Sequence, residues 1–149
     1  MVSTSDDLSP AEIVSYARDR LRYLEADHGA RVEVAEESGQ TVIAYVMDPQ
    51  TFELELDWRE GAALMLVART DNGRRPGGYY MHEGQRVRIH LGEVLDNGGV
   101  ADQRLAADLR PVVKGSGPKA MEAQIDSYAT VIEKALRTES PALRAAFDQ

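Results

Sequence analysis

The sequence of 149 residues predicts a two-layer α+β fold, on the basis of three observations. An amphipathic helical pattern opens the chain, four to five strand patterns follow, and two to three helical patterns close it. The strand patterns are joined by short turns, which favour an antiparallel β-meander, because a parallel crossover needs roughly a dozen residues or more. We expect the closing helices to cover one sheet face and the other face to meet water or a partner.

The first helix begins at Ser9, where Ser9, Pro10 and Glu12 form a capping box with proline at the first helical position. We expect the helix to end at Gly29, because glycine is common just after the last residue of a helix. Apolar residues recur between these points at three- and four-residue spacing, which predicts one buried helix face. They are Ile13, Ala17, Leu21 and Leu24. We expect a flexible N-terminus over residues 1–8 and a single domain over residues 9–149.

Five strand patterns follow, over residues 31–36, 41–47, 52–58, 62–68 and about 79–91. The third alternates apolar and acidic residues, which places Glu53, Glu55 and Asp57 in a row about 7 Å apart on one sheet face. We expect this row to point into solvent.

The last strand pattern either continues through Gly84 or breaks there, and it presents three basic side chains on one face. We expect them to neutralise part of the acidic row across the sheet. They are Arg86, Arg88 and His90.

The longest connection between strands, residues 70–78, contains Asn72-Gly73 and Pro76-Gly77-Gly78. Arg74 and Arg75 stand at its tip, and an exposed loop is where contacts with other molecules concentrate. We therefore expect a partner to touch these two arginines.

The C-terminal part predicts a short helix over residues 100–110, closed by Pro111, and a longer helix after Pro118. The longer helix has a regular apolar stripe, and Ser140-Pro141 begins a last short turn of helix. The stripe consists of Met121, Ile125, Tyr128, Ile132 and Leu136.

Composition excludes several function classes. The chain has no cysteine, which rules out disulfides, cysteine-ligated zinc, iron–sulfur clusters and thiol nucleophiles. It has no apolar run near the roughly 20 residues that span a bilayer, and its start lacks a signal-peptide pattern, so we expect a cytoplasmic protein without membrane contact. The 14 arginines against 3 lysines are typical of a GC-rich bacterial genome.

The net charge of −8 is unevenly distributed. Residues 1–60 carry 5 basic and 14 acidic side chains, whereas residues 61–90 carry 5 basic and 2 acidic ones. An acidic protein is repelled by phosphates, which makes nucleic acid an unfavoured partner. A protein with a basic surface fits better.

The sequence offers no set of catalytic or metal-ligating residues. Carboxylates 7 Å apart are too distant to share a proton, the three histidines have no metal-site spacing, and no Gly-x-Ser-x-Gly elbow occurs. The segment Gly115-Ser116-Gly117-Pro118 lacks the Walker spacing of a phosphate-binding loop. We therefore predict no catalytic residue, no metal and no cofactor.

The order of elements resembles the general plan of secretion chaperones and of some bacterial immunity proteins that neutralise toxins. The resemblance covers element order alone and assigns no residue a role. We expect a non-catalytic protein-binding module that covers a basic partner through Glu53, Glu55, Asp57, Arg74 and Arg75. A homodimer is compatible with this expectation.

The alternative is a small-ligand-binding protein or an enzyme with a pocket between sheet and helices. The pocket would be lined by aromatic residues, with a basic side chain as its polar anchor. The candidates are Tyr45, Trp58, Tyr128, Arg88 and His90.

Overall fold

A computed structural model describes residues 8–109 and 115–148 of the chain. It has the predicted two-layer α+β fold, with an N-terminal helix, a five-stranded antiparallel sheet and C-terminal helices. The predictions for residues 1–7 and for Pro111 as a helix stop fall outside the described residues.

The N-terminal helical segment follows its sequence signals. Helix α1 spans Pro10–Arg20 and begins with the predicted capping box, in which Ser9 and Glu12 each accept the other's backbone N–H. The segment is interrupted at Leu21 and continues as α2, Arg22–Ala26. All four predicted apolar positions of this segment are buried.

The main sheet is a meander in which every neighbouring pair of strands is antiparallel. Its order is β1-β2-β3-β4-β7, so β3 lies at the centre and β1 and β7 at the edges. The first four strands are β1 Arg31–Glu37, β2 Gln40–Val46, β3 Gln50–Asp57 and β4 Ala62–Arg69.

The two faces of this sheet differ in chemistry, because side chains alternate along each strand. On one face, Ile43, Leu54 and Met65 belong to the hydrophobic core that the helices complete. The register places Glu53, beside Leu66 of β4, on the opposite face. The hydrophobic core that the helices complete therefore lies on the first face, while Ala44 and Leu66 are buried on the opposite one.

The prediction of a strand over about residues 79–91 is wrong in its extent, whereas the break considered near Gly84 is present. Three short strands occupy this region, β5 Met81–His82, β6 Gln85–Arg86 and β7 Arg88–His90. Strands β5 and β6 pair as a separate hairpin, whose turn holds Glu83 and Gly84 at positive φ. Helix α3, Leu91–Asp96, begins where the strand was expected to end, because Leu91, Val94 and Leu95 have helical spacing and are buried.

The C-terminal helices complete the layer on the core side of the sheet. They are α4 Val100–Leu109, α5 Pro118–Arg137 and α6 Pro141–Arg144. The predicted stripe of α5 faces the core, and α6 buries Leu143 there. No helix within residues 8–109 and 115–148 has the length and apolar character needed to cross a membrane.

Candidate functional site

The sheet face opposite the helices is covered over its centre by residues 70–87, here called the covering loop. Side chains of this loop bond directly to β3, since Arg75 reaches Glu53 and Tyr79 reaches Glu55. Glu53 is 0% exposed and Glu55 is 5% exposed. The prediction that the acidic row points into solvent is therefore wrong for these two residues, because a segment remote in sequence folds over them.

Glu53 is held by two arginines. Arg88 of β7 donates from Nε to Oε1 at 2.6 Å and from Nη2 to Oε2 at 3.1 Å, a bidentate contact. Arg75 of the covering loop donates from Nε to Oε2 at 2.6 Å. The expected neutralisation across the sheet is confirmed for Arg88, whereas Arg86 pairs with Glu93 instead.

Arg88 also fixes the backbone of the covering loop. Its guanidinium donates to the carbonyl oxygens of Pro76 at 3.2 Å, Gly78 at 3.0 Å and Tyr79 at 2.9 Å. Its Cζ lies 5.8 Å from the centre of the Tyr79 ring, within the range of a cation–π contact. One buried side chain thus joins the strand, the acidic row and the loop.

The charge of Glu53 is compensated. Burial raises its pKa, but the hydrogen bonds and positive charges of Arg88 and Arg75 outweigh burial and bring that pKa below its ordinary value. Glu53 is accordingly held as a carboxylate by its two partners.

Glu55 has a different environment. The Tyr79 hydroxyl donates to it, 2.6 Å from Oε2 and 2.8 Å from Oε1, and no basic side chain in the described part of the chain forms an ion pair with it. Burial raises the pKa of Glu55, and the negative charges of Glu53 and Glu37 add to the increase, while the Tyr79 hydrogen bond and the charge of His90 oppose it. Burial and this carboxylate also raise the pKa of Tyr79.

A polar cavity of about 220 Å³ lies beside Glu55, between the covering loop and the first strands of the sheet. Its wall includes carboxylates from two strands and both arginines that hold Glu53. The lining residues are Glu37, Val42, Glu55, Arg75, Pro76, Gly78, Tyr79 and Arg88.

The outer side of the covering loop exposes three neighbouring aromatic and apolar side chains. Tyr79, Tyr80 and Met81 are 42%, 41% and 55% exposed, although large apolar side chains are usually buried. The two tyrosine rings contact each other edge to face at 4.4 Å between centres, and the Tyr80 hydroxyl is 2.9 Å from His90 Nε2. These contacts hold the rings in place at the surface.

The structure separates the five residues predicted to bind a partner. Arg74 is exposed at the loop tip and Asp57 is partly exposed, with its carboxylate accepting the Glu60 backbone N–H at 2.9 Å. Arg75 turns inward to Glu53, contrary to the expectation of an exposed pair of arginines.

The structure does not assemble the predicted pocket from all five of its residues. Tyr45, Trp58 and Tyr128 belong to the core side, where Trp58 Nε1 donates to the Thr41 hydroxyl and the Tyr128 hydroxyl to the Ala63 carbonyl. Arg88 and His90 project from the opposite face.

His90 and Tyr128 nevertheless line one cavity of about 180 Å³ at the β4 and β7 side of the sheet. This volume is below the roughly 300 Å³ at which pockets for small molecules begin.

Sequence reasoning identified Arg88 as a neutralising residue, but it missed the contact between Tyr79 and Glu55. The glycine-rich stretch at residues 77 and 78 was the available signal, because it lets the loop pack closely on its own residues Met81 and His82. Within the described ranges, no group of three or more histidine or acidic side chains is placed to hold a metal ion.

Comparisons with protein-family models, curated proteins and solved structures found no match to this chain.

Proposed function

We propose that the protein is a non-catalytic binding module, of the inhibitor, immunity or chaperone kind, that recognises a protein with a basic surface. The observation that carries the proposal is the outer side of the covering loop, where Tyr79, Tyr80 and Met81 are exposed on a backbone fixed by Arg88. Tyrosine and methionine are enriched at protein interfaces, and tyrosine is frequent among the residues that dominate binding energy.

The rigidity of this surface supports the proposal. A loop that is already ordered loses less conformational entropy on binding than a free one, so more of the contact energy appears as affinity. The three carbonyl contacts of Arg88 and the ion pair of Arg75 provide that order before any partner arrives.

The preference for a basic partner rests on charge. The chain carries a net −8, and Glu36 and Glu37 are exposed at the end of β1. Glu37 lines the same cavity as Tyr79, so acidic and aromatic surfaces adjoin. Opposite charge across an interface raises the association rate and disfavours other partners.

The test is capture of the tagged protein with its partner from source cells at low and moderate salt, followed by affinity measurements with the purified partner. Replacing Tyr80 and Met81 together by serine is expected to weaken binding at least tenfold, since residues of this kind contribute about 2 kcal/mol or more at an interface.

The matched control is Val100→Ser, which removes a 67% exposed apolar side chain from the helix layer. This variant should bind the partner as the wild type does. Equal binding by the loop variant and the wild type would exclude the covering loop as the interface.

A further inference from the structure

We infer that the cavity beside Glu55 receives one cationic side chain, a lysine or an arginine, from the bound partner. This inference rests on the proposed function and names the chemistry by which the partner would be recognised. It also gives Glu55 a direct ion-pair partner, which the described residues do not supply, since His90 acts on this carboxylate only from a distance.

The contrast between Glu53 and Glu55 carries the argument. The two carboxylates lie on the same face of β3, two residues apart, and both are at least nine-tenths buried. Glu53 accepts three hydrogen bonds from two arginines, whereas Glu55 accepts the single hydroxyl proton of Tyr79. A buried carboxylate has acceptor capacity for several donors, so Glu55 retains unused capacity.

The cavity places that capacity within reach of a ligand. Glu55 forms part of its wall, and Glu37, an exposed residue of β1, stands on the same wall. A volume of about 220 Å³ is smaller than the roughly 300 Å³ of small-molecule pockets, which suits the end of one side chain rather than a whole cofactor.

Charge favours a cation over an anion in this cavity. Arg75 and Arg88 also line it, but both bond to Glu53. In the wall itself, Glu37 and Glu55 balance these two arginines, and Glu53, which is not part of the wall but bonds to both arginines, gives this group of five side chains one negative charge in excess. An anion would lie against Glu55 and Glu37, whereas a cation would form charged hydrogen bonds with Glu55.

The probe for this inference is N-acetyl-arginine N-methylamide, with its neutral citrulline analogue as the matched ligand. Each is titrated into the isotope-labelled protein at about pH 8, where a carboxylate of ordinary pKa is ionised. We expect the cation to shift the amide resonances of Val42 and Gly78 with a dissociation constant on the order of millimolar, and the neutral analogue to bind about tenfold more weakly.

Two variants separate the cavity from the general charge of the protein. Glu55→Gln should weaken binding of the cation about tenfold while keeping an acceptor for Tyr79. Glu60→Gln, which removes one exposed negative charge from the turn after β3, should leave the affinity unchanged. Equal binding of the neutral analogue, or equal binding by Glu55→Gln and wild type, would overturn the inference.

The same variants distinguish this inference from the proposed function. If the Tyr80 and Met81 double variant loses the partner while Glu55→Gln binds both partner and probe normally, the cavity inference fails and the binding module remains. If the probe requires Glu55 but the double variant still captures the partner, the cavity inference stands as a cation site and the covering loop fails as the interface.

Discussion

Glu53 and Glu55 show how neighbouring residues of one type can have different electrostatic environments. Both carboxylates are buried beneath the covering loop. Removing a carboxylate from water costs several kcal/mol unless hydrogen bonds and opposite charges compensate. Arg88 and Arg75 provide that compensation for Glu53, whereas Glu55 depends on Tyr79.

Arg88→Met is expected to lower the free energy of unfolding by about 3–5 kcal/mol, because it leaves a buried carboxylate with one partner and frees three loop carbonyls. Urea unfolding measures the loss. The matched control is Arg86→Met, which breaks an exposed ion pair with Glu93 and should cost about 0–1 kcal/mol. Equal losses in the two variants would show that the Arg88 contacts contribute little.

The pH dependence of stability should separate the two carboxylates. The pKa of Glu55 lies above its ordinary value of 4.5, so the folded chain binds this proton more tightly than the unfolded chain does. The Glu55 contribution to the free energy of unfolding is therefore present below pH 4.5 and lost as the pH rises through its folded pKa. The Glu53 contribution to the free energy of unfolding depends on pH in the opposite direction. Because the pKa of Glu53 is lowered in the folded chain, this contribution is present above pH 4.5 and disappears as the pH falls below 4.5.

Glu55→Gln removes the pH-dependent contribution of Glu55 to the free energy of unfolding. Relative to wild type, the variant should gain stability as the pH rises above 4.5, which urea unfolding across a pH series would detect. Glu60→Gln, which removes an exposed carboxylate from the turn after β3, is measured alongside as the control. A curve for Glu55→Gln parallel to that of wild type would mean that the pKa of Glu55 is not raised in the folded protein.

At the scale of elements, the covering loop depends on glycines that allow close packing. Gly78 has φ +67°, and a Cβ there would lie 2.2 Å from the Met81 carbonyl oxygen. Gly73 has a similar φ of +73°, but a Cβ there would meet nothing within 4 Å. Gly78 and Gly73 therefore have nearly the same φ, and they differ in the space available for a side chain.

Gly73→Ala should cost about 1–2 kcal/mol of stability, the penalty of the left-handed conformation alone. Gly78→Ala should cost clearly more, because its methyl group collides with backbone that must move. Urea unfolding measures both losses, and the amide resonances of Tyr79 and Tyr80 report whether the loop shifts. Equal losses would indicate that the loop accommodates the methyl group without strain.

The elements that were predicted correctly are those with local signals. The capping box at Ser9 and the stripe of α5 each occupy a continuous stretch, and each formed where expected. Alternation in β3 correctly placed Glu53 and Glu55 on one face, but it carries no information about what covers that face. Their burial depends on Arg75 and Tyr79, more than 20 residues away, and on β7 being a three-residue strand rather than a long one.

At the scale of the whole molecule, ion pairs inside the fold neutralise part of the uneven charge of the sequence. The basic stretch of residues 61–90 supplies both arginines that neutralise Glu53 in the acidic first 60 residues. Exposed acidic residues such as Glu36 and Glu37 retain the excess negative charge at the surface. The negative charge at the surface is therefore set by which acidic residues the covering loop leaves uncovered.

The pairing of Arg88 with Glu53 also bears on how the chain avoids misfolding. Arg88 stands between Val87 and Ile89, both apolar, so a slip of β7 by one residue would set an apolar side chain against the buried carboxylate. Such a mispaired sheet would bury a charge without its bidentate partner, which is more costly than misplacing an apolar contact. The buried ion pair thus penalises wrong alignments of the last strand, even where hydrophobic burial alone would tolerate them.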